Sequence, residues 1–228
     1  MELANAIKSM KIAVITAIFG DMDDVKVIPS QTIPYDLFVF TENNSPIPMK
    51  YTSHRLNAKY FKCLPHTIEA LKGYDAFLWI DGSIKIKVGN FLEQLVTKLE
   101  QSKSDIVIPA NRYNDCIFDA GRRIMNHIHE PYFKVRLGND PLIEQVEYYR
   151  EQGHPAHWGL WCAGFFLRLN NKRMNKCYEE WWEEILKWTA KDQHSQAFVL
   201  RKHGVKIYTI PNTFEQDLVT LCEHKKLM

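Results

Sequence analysis

Residues 76–86 read AFLWIDGSIKI, and the choice of fold turns on how this stretch is parsed. Residues 76–80 are apolar at every position. A strand with one wet face alternates, so an unbroken apolar run predicts a strand buried on both faces, as in a sheet with helices on either side. Asp81-Gly82 ends the run, and two readings of it stay open. It can be the two-residue turn of a β-hairpin joining FLWI to SIKI, or it can be the polar end of a buried strand, presenting a carboxylate to a ligand.

The same pattern recurs on either side of this stretch. Residues 11–18 (KIAVITAI) run into Phe19-Gly20-Asp21, residues 37–41 read LFVFT, and residues 105–109 read DIVIP; residues 205–210 supply a late strand. Helical patterns separate them. Residues 55–64 precede Pro65, and residues 90–101 carry Phe91, Leu92, Leu95 and Leu99 at helical spacing. Residues 140–152 form a third helix. Residues 173–190 align Met174, Cys177, Trp181, Ile185 and Trp188 on one stripe, and residues 192–203 stop at Gly204. Residues 45–51, with Pro46 and Pro48, read as a loop or edge strand. Strands alternating with helices predict an α/β fold with a mixed, mainly parallel central sheet and helices on both faces. No repeat or low-complexity linker divides residues 1–228, so one domain is expected, with its core over about 11–212 and a tail over 213–228 whose basic end after Thr220 reads as solvated.

Charge narrows the function classes. The chain has 29 basic and 27 acidic residues, a net +2, without the basic excess of a nucleic-acid binder. Its five cysteines are odd in number and form no C-x-x-C pair, which excludes a disulfide scaffold or zinc ribbon and suits reduced thiols in a cytoplasmic setting. No apolar run approaches the roughly 18 residues of a membrane span. The run 12–19 follows Glu2 and lacks a cleavage site, so it reads as a first strand rather than a signal core.

In open α/β sheets ligands gather at the carboxyl ends of strands. Three such ends carry polar groups here: residues 16–21, Thr41-Glu42-Asn43 and Asp81-Gly82-Ser83. Asp81 and Ser83 offer oxygen ligands to Mg²⁺ or Mn²⁺, which take waters and phosphate oxygens for the rest of their shell. Arg55, Lys59 and Lys62 share one helix face, either as a solvated surface or as a cradle for a diphosphate. Asp192 opens a helix, either as its N-cap or as a carboxylate facing a transferred sugar, as general base or hydroxyl clamp. His194 is a candidate ligand to metal or phosphate. Trp158 and Trp161, flanking Gly159, suit a sugar-stacking wall or the core. His127-x-His129 and His154-x-x-His157 fit no zinc motif, and Asp115 and Asp119 frame a helix start. The glycine-rich signatures of P-loop and dinucleotide-binding proteins and the G-x-S-x-G of serine hydrolases are absent.

Taken in order, the motifs resemble a family. KIAVITAIFG is followed by R-x-x-x-K-x-x-K-x-x-P-H (55–66), YDAFLWIDGSIKI, NDCIFD, GLWCAGFFLRLNN, a Trp-Trp helix and KDQHSQAFVL. This order is similar to the glycosyltransferase domains of large chlorella viruses and to a hexosyltransferase-like domain of plants and bacteria. The resemblance implies a GT-A fold with a Rossmann-like nucleotide-binding half and a divalent metal, Mn²⁺ or Mg²⁺. It also implies a nucleotide-sugar donor of the UDP-glucose or UDP-rhamnose type, a glycan or glycoprotein acceptor, and a host-cytoplasmic setting. By the same resemblance Thr16, Ala17, Phe19, Thr41 and Glu42 would line the nucleoside pocket, and Arg55, Lys59 and Lys62 would face the diphosphate or base. Asp81 and Ser83 would hold the metal, with Ser83 where a second Asp is usual. Ala163-Gly164 would lie on the acceptor side, and Asp192 and Gln193 would contact the sugar. The rivals are a nucleotidyltransferase, whose Gly-rich Arg-containing loop AIFGDMDD does not match, a non-catalytic sugar- or nucleotide-binding module, and a metal-dependent hydrolase.

Overall fold

The computed structural model describes residues 9–48, 50–138 and 140–225. Six strands form the central sheet: β1 (Ile12–Ala17), β2 (Asp36–Phe40), β3 (Ala76–Ile80), β5 (Ile106–Pro109), β6 (Phe165–Leu169) and β7 (Ile207–Ile210). Their spatial order is β2-β1-β3-β6-β5-β7. All neighbours run parallel except β6, which is antiparallel to both β3 and β5. The sheet is therefore mixed and mainly parallel, as the apolar runs imply.

Side-chain alternation divides the core in two. From β1, Ala13, Ile15 and Ala17 enter one cluster and Ile12 and Val14 the other; from β3, Phe77 and Trp79 oppose Ala76, Leu78 and Ile80. The first face is covered mainly by α1 (His54–Cys63), α6 (Lys172–Lys187) and α7 (Asp192–Lys202). The second is covered by α2 (Phe91–Ser102), whose Phe91, Leu92, Leu95 and Leu99 are all buried. Of the predicted stripe, Met174, Cys177, Trp181 and Ile185 are inside, whereas Trp188 is the C-cap of α6 and is half-buried. Three further helices, α3 (Ile117–Asn126), α4 (Pro131–Leu137) and α5 (Leu142–Glu151), lie between β5 and β6.

Two expectations are corrected. Asp81-Gly82 is not a hairpin turn: β4 (Ile84–Ile86) leaves the central sheet and pairs antiparallel with β8 (Val219–Leu221). The turn closes locally, with Ile84 N–H on the Asp81 carbonyl, and β6 rather than β4 takes the edge of β3. The second correction concerns the tail. After α8 (Asn212–Leu218), β8 buries Val219 beside Leu218, Ile84 and Ile86, and His224 reaches Asp23. The core therefore extends past residue 212.

Truncation after Asn212 distinguishes the two views of the tail. Burying Leu218 and Val219 is worth about 3–6 kcal/mol together, so urea unfolding of the shortened chain should show a loss of that order. A dangling tail would leave the midpoint unchanged.

Candidate functional site

β1 leads to β2 on one side, whereas its other neighbour, β3, leads on toward β5 on the opposite side, so the connections leave the carboxyl ends of these two strands in opposite directions. A crevice forms at such a switch point without any side chain having to make it. Here it is a cleft of about 250 Å³. Its floor is the loop after β1 (Ala17, Phe19), the Asp81-Gly82 turn after β3, and Ala163-Gly164 at the start of β6. The antiparallel run of β6 brings the last pair to that place, and Asp81 N–H donates to the Gly164 carbonyl at 2.7 Å.

One wall is α1. Ser53 caps it, its hydroxyl accepting from Leu56 N–H, and Arg55, Lys59 and Lys62 then face the cleft. This face is not a solvated surface: the Lys62 side chain is 3% exposed and that of Lys59 13%. The opposite wall is the start of α7. Lys191 occupies its N-cap position and Asp192 the first helical one, without a side-chain cap bond, so the N-cap reading of Asp192 is corrected. Instead Asp192 Oδ2 accepts from both lysines, from Lys59 Nζ at 2.5 Å and from Lys62 Nζ at 2.9 Å. Trp181 Nε1 and Ser195 Oγ hold the Asp192 carbonyl at 2.9 and 3.1 Å.

Asp81 completes the set. Its Oδ1 accepts from Trp79 Nε1 at 2.6 Å and faces Lys62 Nζ at 3.4 Å. Residues two apart on a strand share a face, so the Trp79 indole orients its own neighbour's carboxylate. Among the described residues no hydrogen bond is made to Oδ2.

The charges interact strongly. Burial alone would raise the Asp192 pKa, but Lys59 and Lys62 outweigh it and hold the carboxyl far below its usual range. Burial likewise lowers both lysines. Lys62, between Asp192 and Asp81, is nevertheless held at about 12, whereas Lys59 has Asp192 alone against burial and two like-charged neighbours and falls to about 8. Five lining residues are cations (Arg55, Lys59, Lys62, Arg136, Lys191) and three are carboxylates (Asp23, Asp81, Asp192). The surplus suits an anion.

Other predicted residues lie elsewhere. Thr16 lines a small cavity beside Val25 and Ile28. Thr41 closes a turn with Asn44, and Glu42 accepts from Gly20 N–H, steadying the β1 loop without lining the cleft. Ser83 is 4% exposed, its carbonyl accepts from Cys222 N–H, and it does not line the cleft with Asp81. His194 is corrected as a metal ligand. It lies two residues past Asp192, on the other side of α7, wholly buried and with its pKa lowered to about 3 by burial first and Lys191 second. Trp158 and Trp161 stack edge-on at 5.3 Å around a separate cavity, with Trp161 Nε1 bonded to Thr209. Gln193 lines the cleft and also a neighbouring cavity of about 570 Å³, which shares Asp81, Gly164, Tyr132 and Arg136 with it.

Sequence reasoning missed Asp23, His54, Trp79, Tyr132, Arg136, Lys191 and His224. The period-2 relation of Trp79 to Asp81 and the adjacency of Lys191 to Asp192 were available signals. Nothing in the sequence places α4, with Arg136 stacked on Tyr132, over the cleft. Among the described residues no helix is long and apolar enough to cross a membrane.

No protein-family model and no curated protein matches the chain. Among solved structures, core-mannan synthase A from Aspergillus fumigatus, in its Mn/GDP form, is similar over 92% of this chain and 73% of its own, at 8% identity and a TM-score of 0.40. Likeness at that level carries no argument for activity, and the functional reading rests on the cleft.

Replacing Asp192 with Asn strands two buried ammonium groups and should cost about 3–5 kcal/mol. The sign of the pH effect follows from the shift. The folded pKa lies far below the ordinary carboxyl value of 3.8, so this stability is present above that pH and is lost as pH falls below it. Chemical denaturation between pH 5 and 2 should show a flatter acid limb for Asp192→Asn than for the parent chain. Equal slopes would mean the carboxylate is not held as described.

Proposed function

We propose that the protein is a GT-A-type glycosyltransferase, moving a sugar from a nucleoside-diphosphate sugar to an acceptor hydroxyl. The observation that carries the reading is the buried Lys59–Asp192–Lys62 arrangement facing Asp81 across a switch-point cleft. A diphosphate needs concentrated positive charge held without flexible side chains, and α1 supplies it on a rigid element. The nucleoside would lie toward Ala17 and Phe19, and the acceptor in the adjoining larger cavity.

The donor set fits a hard divalent cation. Asp81 Oδ2 is the carboxylate oxygen that would hold Mn²⁺ or Mg²⁺, ions that draw their remaining ligands from water and phosphate. Bound there, the ion supplies Lewis-acid stabilisation of the departing diphosphate. Lys59, Lys62 and Arg55 neutralise charge on the same leaving group. Trp79 keeps the Asp81 carboxylate turned into the cleft.

Of the two roles considered for Asp192, the hydroxyl clamp is favoured. A general base works best with a pKa near the working pH, and two ammonium groups hold this carboxyl far below it. Asp192 instead positions both lysines, and its Oδ1, which makes no hydrogen bond among the described residues, faces a donor hydroxyl. The acceptor proton then passes to another group, such as the leaving diphosphate. A UDP-sugar is the first donor to test, with glucose and rhamnose forms ahead of galactose and xylose.

A panel of nucleotide-sugars with and without Mn²⁺, read by thermal shift and by nucleoside-diphosphate release, tests this. One donor should raise the melting temperature only with metal, and Asp81→Ala should lower kcat/KM at least about 100-fold. Failure of every donor to turn over, or unchanged turnover in Asp81→Ala, would overturn the proposal. Donor binding without turnover would favour the non-catalytic module.

A further inference from the structure

The cavity lined by Trp158 and Trp161 lies outside the donor cleft, and it adjoins a second group of ligating side chains. Cys116, Asp119 and His157 place one ligand atom each within 4.8 Å of one another. Two come from the start of α3, Cys116 at the N-cap and Asp119 three residues on, a spacing that puts them on one face. The third comes from the loop before β6, forty-one residues later in the chain. The two segments are stitched together nearby, where Asn111 N–H donates to the Leu160 carbonyl and Ala110 bridges Trp161.

The hydrogen bonds leave the ligating atoms available. His157 Nδ1 is paired with Asp115 Oδ1 at 2.8 Å, so the ring is oriented with Nε2 turned elsewhere. That Nε2 lies 3.9 Å from Asp119 Oδ2, too far for a hydrogen bond, while Asp119 Oδ1 accepts from Arg122. His157 and Asp119 thus each have one committed atom and one open atom, the open pair 3.9 Å apart, with the Cys116 thiol beside them. A carboxylate on the far nitrogen of an imidazole is the arrangement that fixes a metal-binding histidine. His157 is also one of few non-glycine residues held at positive φ, 55°.

We propose that Cys116 Sγ, Asp119 Oδ2 and His157 Nε2 form a binding site for a zinc-class divalent cation, with a fourth position open to the cavity beside Asn114 and Trp158. The donor set selects the metal. Thiolate with imidazole favours Zn²⁺ over Mg²⁺ or Ca²⁺, which prefer all-oxygen shells. Tetrahedral zinc holds such ligands at roughly 3.3–3.8 Å from one another. The pocket therefore has to close by up to about 1 Å, a movement that the exposed His157 and Asp115 side chains can make together. Binding displaces one proton from the Cys116 thiol, and the ion then ties the loop before β6 to the start of α3. The site does not depend on the glycosyltransferase reading, and its ligands are distinct from Asp81.

Cobalt substitution of the full chain tests the site without any activity assay. Titration with Co²⁺ should produce one equivalent of thiolate-to-cobalt charge-transfer absorption, displaced by Zn²⁺ and kept in Asp81→Ala. Cys116→Ser should abolish the band, and His157→Ala should weaken binding at least about tenfold. Asp115→Asn should weaken it about 10–100-fold, as loss of an outer partner does. Circular dichroism of the metal-free variants verifies that each is folded. Absence of the band, its survival in Cys116→Ser, or unchanged affinity in His157→Ala would overturn the proposal.

Discussion

One carboxylate oxygen, Asp192 Oδ2, accepts from two ammonium groups in a space nearly closed to water, and much of the surrounding architecture serves to keep those three charges together. Each charge alone would be expensive to bury; paired with good geometry they are tolerated, and removing one leaves the others stranded. That constraint ties the first residue of α7 to the side chains of α1. It also accounts for Trp181, which is wholly buried yet spends its indole N–H on the Asp192 carbonyl. The Lys62 ammonium lies 5.5 Å from the Trp79 ring and 5.9 Å from Trp181, so its remaining surroundings are aromatic faces rather than water.

The place of this group in the fold gives it meaning. The cleft is lined by more cations than carboxylates, and Lys191 and Arg55 have their pKa values lowered first by burial and then by like-charged neighbours, Arg136 among them. Such mutual repulsion is relieved when an anion binds. A polyanionic group entering at the switch point meets lysines already immobilised by Asp192, so little side-chain freedom is lost on binding. Asp81 stands at the edge of this field with one oxygen committed and one open, which distinguishes a site that can take a cation together with the anion from a plain anion hole.

Much of this could be read from the sequence, for identifiable reasons. The strands 11–18, 37–41, 76–80, 105–109 and 205–210 were legible because parallel sheets bury both faces and leave unbroken apolar runs. The structure leaves 76–80 unchanged, shifts 37–41 by one residue to Asp36–Phe40 and trims the others by one or two residues, as for β7, which begins at Ile207. Arg55, Lys59 and Lys62 were legible as one helix face, and their company with Asp192 and Asp81 is what the cleft shows. The pairing of β4 was not legible. Asp-Gly between two apolar runs is a good local hairpin signal, and only the long-range competition of β6 for β3, and of β8 for β4, overrides it. Polar positions such as Ser83 and His194 were assigned by proximity in sequence, but two residues along a turn or helix point a side chain away. Trp158 and Trp161 were read as either a sugar-stacking wall or core; Trp161 is buried, and both line a cavity other than the cleft.

The central claim is that the Lys59–Asp192–Lys62 group is a preformed diphosphate site. Isothermal titration of a nucleoside diphosphate and its monophosphate into the parent chain and into Lys59→Gln tests it most directly. The account predicts a diphosphate bound at least about tenfold more tightly than the monophosphate, a preference that Lys59→Gln largely erases and that rising salt weakens. Equal affinity for the two nucleotides, or a diphosphate preference untouched by Lys59→Gln, would contradict it.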